Sequence, residues 1–350
     1  MARARTAARQ LVLVATVGGL GLALTACGGS STASGSGSDG SSAATTGKVA
    51  AVIKGLDNPF FQTMEKGIRD QASADGTDVT IQAAAAITDT SGQADKLTGL
   101  AGQDYKCFVV NPISGTNLVQ GIAQIAAKDV PIVNIDSPVE ADAAKAAGAK
   151  IATYIGTDNN AAGQLAGKQM GTLLPDGGAV ALVGGISGDV TSGARLDGFT
   201  AGKPANVSIV QTVAADWDRQ TALTKATDIM RANPDLKGFF AANDDMGLGI
   251  ARAIANAGKT GQIKVISVDG NKDAFEAIKS GGIDAVVAQF PYVVGKMGLE
   301  ACEAAMKGKT LPEKVDAPVQ VVTKDTVDAA LSAAPKPGEA YDDPFAELLK

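Results

Sequence analysis

The chain has 350 residues, 45% hydrophobic and 19% charged, which suits a globular protein with room for two domains. It holds no histidine, so a Ser-His-Asp triad, a Cys-His pair and a His-ligated zinc site are excluded, while carboxylate chemistry stays open. The formal charge is −6; removing the three arginines of residues 1–26, which contain no acid, leaves −9, and an acidic body without a basic cluster argues against nucleic acid as a partner.

Arg3, Arg5 and Arg9 precede an apolar run from Leu11 to Leu24. The run is too short for a comfortable membrane span and fits the core of a signal peptide over residues 1–26. It ends in Leu24-Thr25-Ala26-Cys27. Leu24 is too large for a plain signal-peptidase site, and the order Leu-x-Ala-Cys resembles a bacterial lipobox. The resemblance implies that Cys27 becomes the lipidated first residue, anchoring the protein to the outer face of the cell membrane. Residues 28–47 are nearly all Gly, Ser, Thr and Ala and cannot bury enough apolar surface to order themselves. As a coil they span ~25 Å, so residues 27–47 are expected to tether a body that starts near Lys48.

From Lys48 onward short apolar runs alternate with helical stretches. Strands are predicted at Val49–Lys54, Val79–Ala83, Cys107–Val110, Ile132–Ile135 and Ile151–Ile155, then at Ala179–Val183, Ser208–Val213, Gly238–Ala241, Lys264–Val268 and Ala285–Ala288. Helices are predicted between them at Pro59–Ser73, Thr116–Lys128, Asn160–Leu174, Arg219–Ala232 and Gly247–Ala257. Such alternation means parallel sheets covered on both faces, here two doubly wound α/β domains. A last helix, Val293–Lys307, and a strand, Pro318–Val322, follow the second series and imply that the chain crosses between domains more than once. Residues 335–350 read as a loosely held extension.

Ligands of open parallel sheets bind beyond the carboxyl ends of the strands. The first strand runs into Asp57-Asn58-Pro59-Phe60-Phe61; others end at Asn111, Asp136, Asn243, Asp269 and Gln289. Each Asn or Asp taken alone is adequately explained as a helix cap. Six such ends, drawn from both series, fit polar groups converging on one cleft. Amides and carboxylates sort adjacent hydroxyls by donating and accepting in pairs. Phe60, Phe61 and the only tryptophan, Trp217, supply flat apolar walls for the C–H faces of a sugar.

On these residues the chain resembles the ribose-binding-protein family of ABC-transporter solute receptors. The resemblance spans most of residues 48–323. Its motifs are Asp57-Asn58-Pro59-Phe60-Phe61, Val110-Asn111-Pro112, Ile135-Asp136, Ala194-Arg195-Leu196-Asp197-Gly198-Phe199, Asp216-Trp217-Asp218-Arg219, Ala242-Asn243-Asp244-Asp245-Met246, Val268-Asp269-Gly270 and Ala288-Gln289-Phe290-Pro291. It implies two Rossmann-like lobes with a three-crossover hinge, a type I periplasmic binding protein. The first lobe would take residues 48–157 and 290–317, the second 158–289 and 318–334. It implies ligand contacts from Asn58, Phe60, Phe61, Asn111 and Asp136 on one lobe. On the other it implies Arg195, Trp217, Asn243 and Asp269, with Gln289 at the second crossover. Ribose binders carry an arginine directly after the aspartate; Ser137 stands there instead, so the hydroxyl pattern near Asp136 should differ. The implied function is capture of a small sugar or sugar alcohol, of pentose, pentitol or tetritol size, by hinge closure for a membrane permease. A monomer without cofactor, metal or catalytic residue is expected.

A sugar-sensing receptor feeding a signalling kinase would use the same architecture. An enzyme pairing Asp136 with Asp269 is the other alternative. A transcriptional regulator would need a helix-turn-helix where the apolar leader stands. Gly258-Lys259-Thr260 resembles the end of a phosphate-binding loop, but Ala253 occupies the first glycine position. Cys107 and Cys302 read as small buried hydrophobes, with a disulfide left open because the resemblance puts both in the first lobe.

Overall fold

A computed structural model of the chain describes residues 47–350. The predicted signal peptide, Cys27 and nearly all of the tether lie outside the described residues.

The first half builds β1 (Val49–Ile53), α1 (Pro59–Asp75), β2 (Val79–Ala83), α2 (Thr90–Ala101), β3 (Cys107–Val110), α3 (Val119–Ala126), β4 (Ile132–Ile135), α4 (Ala141–Ala147) and β5 (Thr153–Gly156). Every residue of β1, β3 and β4 is buried, as expected where helices cover both faces of a parallel sheet. The helix α1 starts where Asn58 accepts the Phe60 amide and Pro59 presets the first turn; it ends on Gly76 at φ 70°.

The second half repeats the plan with α5 (Asn159–Leu173), β6 (Gly178–Gly184), α6 (Val190–Gly202), β7 (Val207–Ala214), α7 (Arg219–Ala232), β8 (Leu236–Ala241), α8 (Asp244–Asn256), β9 (Lys264–Asp269), α9 (Lys272–Ser280) and β10 (Ala285–Gln289). Then come α10 (Pro291–Met306), β11 (Lys314–Asp316), β12 (Val319–Thr323), α11 (Val327–Ala333) and α12 (Pro344–Leu349).

The sheets have the orders β2-β1-β3-β4-β5-β11 and β7-β6-β8-β9-β10-β12. Both contain the flavodoxin-like order, whose switch point lies beside the first strand, so each offers a crevice at its strand carboxyl ends. All pairings are parallel except β12 against β10. The chain passes between the sheets after β5, between β10 and α10, and between β11 and β12.

Helix α10 crosses back to pack on α1 and on β3, β4 and β5. The close approach needs Gly67 and Gly295: a Cβ on either would stand 2.1 Å from the Tyr292 carbonyl oxygen or 2.3 Å from that of Met64. Cys302 on this helix is bonded to Cys107 on β3, with Cα atoms 5.6 Å apart. The two cysteines are therefore a disulfide and not free hydrophobes; the return of α10 to the sheet brings together residues 195 apart.

The C-terminal segment is also not loosely held. Phe345 is fully buried, and the Asp343 carboxylate lies 2.8 Å from Lys296 Nζ on α10. Lys296 in turn pairs with the buried Glu300 at 2.5 Å. Part-buried charges on α10 need partners, and the tail supplies one. The strand β11 has no signature in the sequence, because Lys-Val-Asp carries no apolar run. The helix α8 begins three residues before its predicted start, since Asn243 caps it.

Candidate functional site

The carboxyl ends of both sheets face one cavity. Its volume is about 70 Å³, on the order of five waters, a space fit for one small solute.

The first-lobe wall starts at Asn58. Its Oδ1 accepts the Phe60 amide at 2.9 Å, so capping uses the acceptor and leaves Nδ2 as a donor without a partner among the described residues. Phe60 and Phe61 stand edge to face, 5.2 Å between centroids, and both line the cavity. Asp136 follows β4 with φ 62°, a conformation L residues seldom take. Two bonds hold it there: its amide donates to the Ile155 carbonyl at 2.8 Å, and its carbonyl accepts the Tyr154 hydroxyl at 2.6 Å. Burial, then the Asp136 charge, pushes the Tyr154 phenol well above its ordinary pKa, so it stays a donor. Lys54 Nζ donates to Ser137 Oγ at 2.6 Å and lies 3.8 Å from Asp136 Oδ2. The Ser137 hydroxyl sits 3.2 Å from that same oxygen. The short Ser137 is thus backed by a cation from the end of β1.

On the second lobe Arg195 projects from the middle of α6 and is 4% exposed. Its Nε donates to Asn159 Oδ1 at 2.8 Å. Its Nη1 donates to the Ala242 carbonyl at 2.6 Å and to Asp269 Oδ1 at 3.4 Å. The Nη2 hydrogens find no protein acceptor among the described residues and remain for a ligand. Asp269, at φ 141°, also accepts from Gln289 Nε2 at 2.9 Å. The turn that carries it is held from beneath by the fully buried Asp244, which accepts from the amides of Gly270 (2.8 Å) and Asn271 (2.7 Å) and from Ser267 Oγ (2.5 Å). Asn243 repeats Asn58: Oδ1 caps α8 through the Met246 amide at 2.9 Å, and Nδ2 has no partner among the described residues. Trp217, at φ 61°, lies 5.9 Å from the Arg195 guanidinium carbon. It fits against Gly185, where a Cβ would meet the indole at 2.0 Å.

Burial is the main force on Asp269 and on Asp244 beneath it. It pushes Asp269 up to about 7 against the pull of Arg195, and raises Asp244 together with the Asp269 charge. Burial also lifts Glu300 and Glu303 to about 7. Unfolded carboxyls titrate near ~4. Between ~4 and ~7 the folded chain therefore holds protons that the unfolded chain has lost, and stability falls as pH rises through that window. The ligand-free protein should melt at a higher temperature at pH 5 than at pH 7.5; a melting temperature that is flat or rises with pH contradicts these shifts.

Asn58, Phe60, Phe61, Asp136, Ser137, Arg195, Trp217, Asn243 and Asp269 all line the cavity. Asn111 does not: it is wholly buried behind the wall, its Nδ2 3.4 Å from Met64 Sδ and its carbonyl bound by Gln93. Gln289 faces a separate cavity at the back of the hinge and meets the site only through Asp269. Sequence reasoning missed Lys54, Asp189 and Thr191, along with the cavity isoleucines Ile87, Ile113 and Ile186. Lys54 is the last residue of its predicted strand, but a lysine at a strand end is not an amide or carboxylate and so carries no hydroxyl-pairing signature of the kind that marks the other strand ends.

Residues 49–310 match the model of the periplasmic binding protein domain. The D-allose-binding periplasmic protein of Escherichia coli K12 is 36% identical over 77% of this chain and 88% of its own length. The xylitol-binding protein of Mycolicibacterium smegmatis is 26% identical over 96% of this chain and 92% of its own. An ABC-transporter solute-binding protein from Actinobacillus succinogenes, solved with bound D-allose, superposes with a TM-score of 0.76 at 27% identity, covering 81% of this chain and 99% of that one. With its two facing sheets and shared cavity, the chain belongs to the periplasmic binding protein domain family.

Proposed function

We propose that the chain captures a single monosaccharide or alditol, of tetritol to hexose size, between its lobes and delivers it to an ABC permease. The chain works outside the cytoplasm as a binding protein, not an enzyme. It acts as a monomer, held to the outer face of the membrane through a lipidated Cys27. One observation carries the ligand class: donors and acceptors alternate around a cavity that also has flat aromatic sides. Asn58 and Asn243 offer amide donors, Arg195 and Lys54 cationic donors, and Asp136 and Asp269 acceptors, beside Phe60, Phe61 and Trp217. Vicinal hydroxyls need both kinds of partner, while ring C–H faces need the aromatics. Both carboxylates have cationic neighbours, at 3.8 Å and 3.4 Å, so each can accept a ligand hydroxyl beside a charged donor.

A thermal-shift screen of pentoses, hexoses and alditols tests this. A true ligand at a hundred times its dissociation constant adds about 2.7 kcal/mol of stability. A panel without any stabilising member contradicts the reading. Lys54→Met keeps an unbranched apolar side chain and removes the ammonium, which lies 5.3 Å from the Phe61 ring centroid; it should weaken binding about tenfold, the worth of one charge-assisted hydrogen bond. Titration calorimetry reads this directly, and unchanged affinity removes Lys54 from the site.

A further inference from the structure

We infer that Asn159, which lies behind the cavity wall, is the positioning residue that sets the aim of Arg195; this rests on the proposed sugar site. The guanidinium has five donor hydrogens. Three are consumed by protein acceptors at Asn159, Ala242 and Asp269, which fixes its plane and leaves the Nη2 pair for ligand. Only the Asn159 bond acts on Nε, the atom about which the head would otherwise turn. Asn159 is itself anchored: its Nδ2 donates to the Thr157 carbonyl at 3.2 Å, in the first passage between the lobes. Gln289, at the second passage, holds Asp269 in the same way. The ligand-facing ion pair is thus gripped from both sides by residues at the hinge.

Asn159→Leu keeps the volume and removes the acceptor; Asn159→Asp keeps the acceptor. Calorimetric titration with the best sugar of the panel should show at least a tenfold loss for Leu and affinity within about threefold of the parent for Asp. Asn159→Ala replaces Leu if the latter does not fold. Parent-like binding by Leu or Ala, or equal loss in Leu and Asp, overturns the assignment. If the parent chain binds no sugar while remaining folded, the functional reading falls and this one with it.

Independently, we propose that the segment from Ala334 to Asp343 is a strap that limits lobe opening. Its upstream anchor, α11, packs on α9 of the second lobe, with Val327 buried and Lys279 2.8 Å from Asp328. Its downstream anchor, α12, packs on α10 of the first lobe through Phe345 and the Asp343–Lys296 pair. The segment is therefore a fourth link between the lobes. It runs between two cavities of about 370 and 260 Å³, both lined in part by Phe290 at the second passage and by Gln320 on β12. Open space on both sides leaves the crossovers free to bend, while the anchored ends set how far they go.

Inserting about ten Gly and Ser residues after Gly338 slackens the strap and keeps both anchors. Small-angle scattering of the full chain should then give a larger ligand-free radius of gyration, an unchanged ligand-bound one, and weaker affinity, because the closed state is less populated. Phe345→Ala, which undocks α12, should move the ligand-free radius the same way. Identical ligand-free radii in the parent and the insertion variant overturn the proposal.

Discussion

Arg195→Met is expected to weaken sugar binding at least a hundredfold. The Nη2 hydrogens of Arg195, without a protein acceptor among the described residues, are charged donors on a side chain that is 4% exposed, and each such bond contributes about 1.5–3 kcal/mol. The substitution also strips Asp269 of the cation 3.4 Å away, leaving a buried carboxylate whose proton affinity rises further. Asp269→Ala should cost a similar amount for the mirror reason, because Arg195 would be left buried without its counter-charge. The two losses should not add, since each single change already breaks the pair. A double-mutant cycle by calorimetry checks this. Losses below threefold in both single variants would place the ligand elsewhere.

Removing the disulfide should bring the largest change in stability. It closes a loop of 195 residues, and the chain-entropy relation gives about 5 kcal/mol for such a loop, with measured values more often about 2–4. Both sulfurs are fully buried, so reductant will act slowly on the folded protein. The cleaner comparison pairs the parent with Cys302→Ala in urea denaturation. A midpoint shift worth about 3 kcal/mol or more is expected. Sugar affinity should stay near that of the parent, because Cys107 and Cys302 lie away from the cavity wall. Coincident unfolding curves would contradict the entropic account.

Much of this architecture is legible in the amino-acid sequence, for definite reasons. Continuous apolar runs such as Val49–Ile53 and Cys107–Val110 carry a burial signal that needs no tertiary information. Strand-end polar residues are legible because the doubly wound plan places strand ends at the cleft. Asn58 and Asn243 show that capping and ligand-facing readings need not compete: Oδ1 serves the helix and Nδ2 faces outward from it. Long-range geometry is what stays hidden. Asn111 ends its strand as the others do, yet α1 and α2 close over it. Ser137 reads as a lost donor because Lys54, 83 positions earlier, lies beside it only in the folded sheet. The same holds for the pairing of Cys107 with Cys302 and for the tail, whose anchor on Lys296 comes from a helix 47 residues upstream.

A crystal structure with the sugar that gives the largest thermal shift tests the central claim most directly. The account predicts one ring or chain whose hydroxyls touch Asn58 and Asp136 from one lobe and Arg195 and Asp269 from the other, with aromatic carbon against its C–H faces. A ligand held by one lobe alone, or lodged in the cavity behind the hinge, would contradict it.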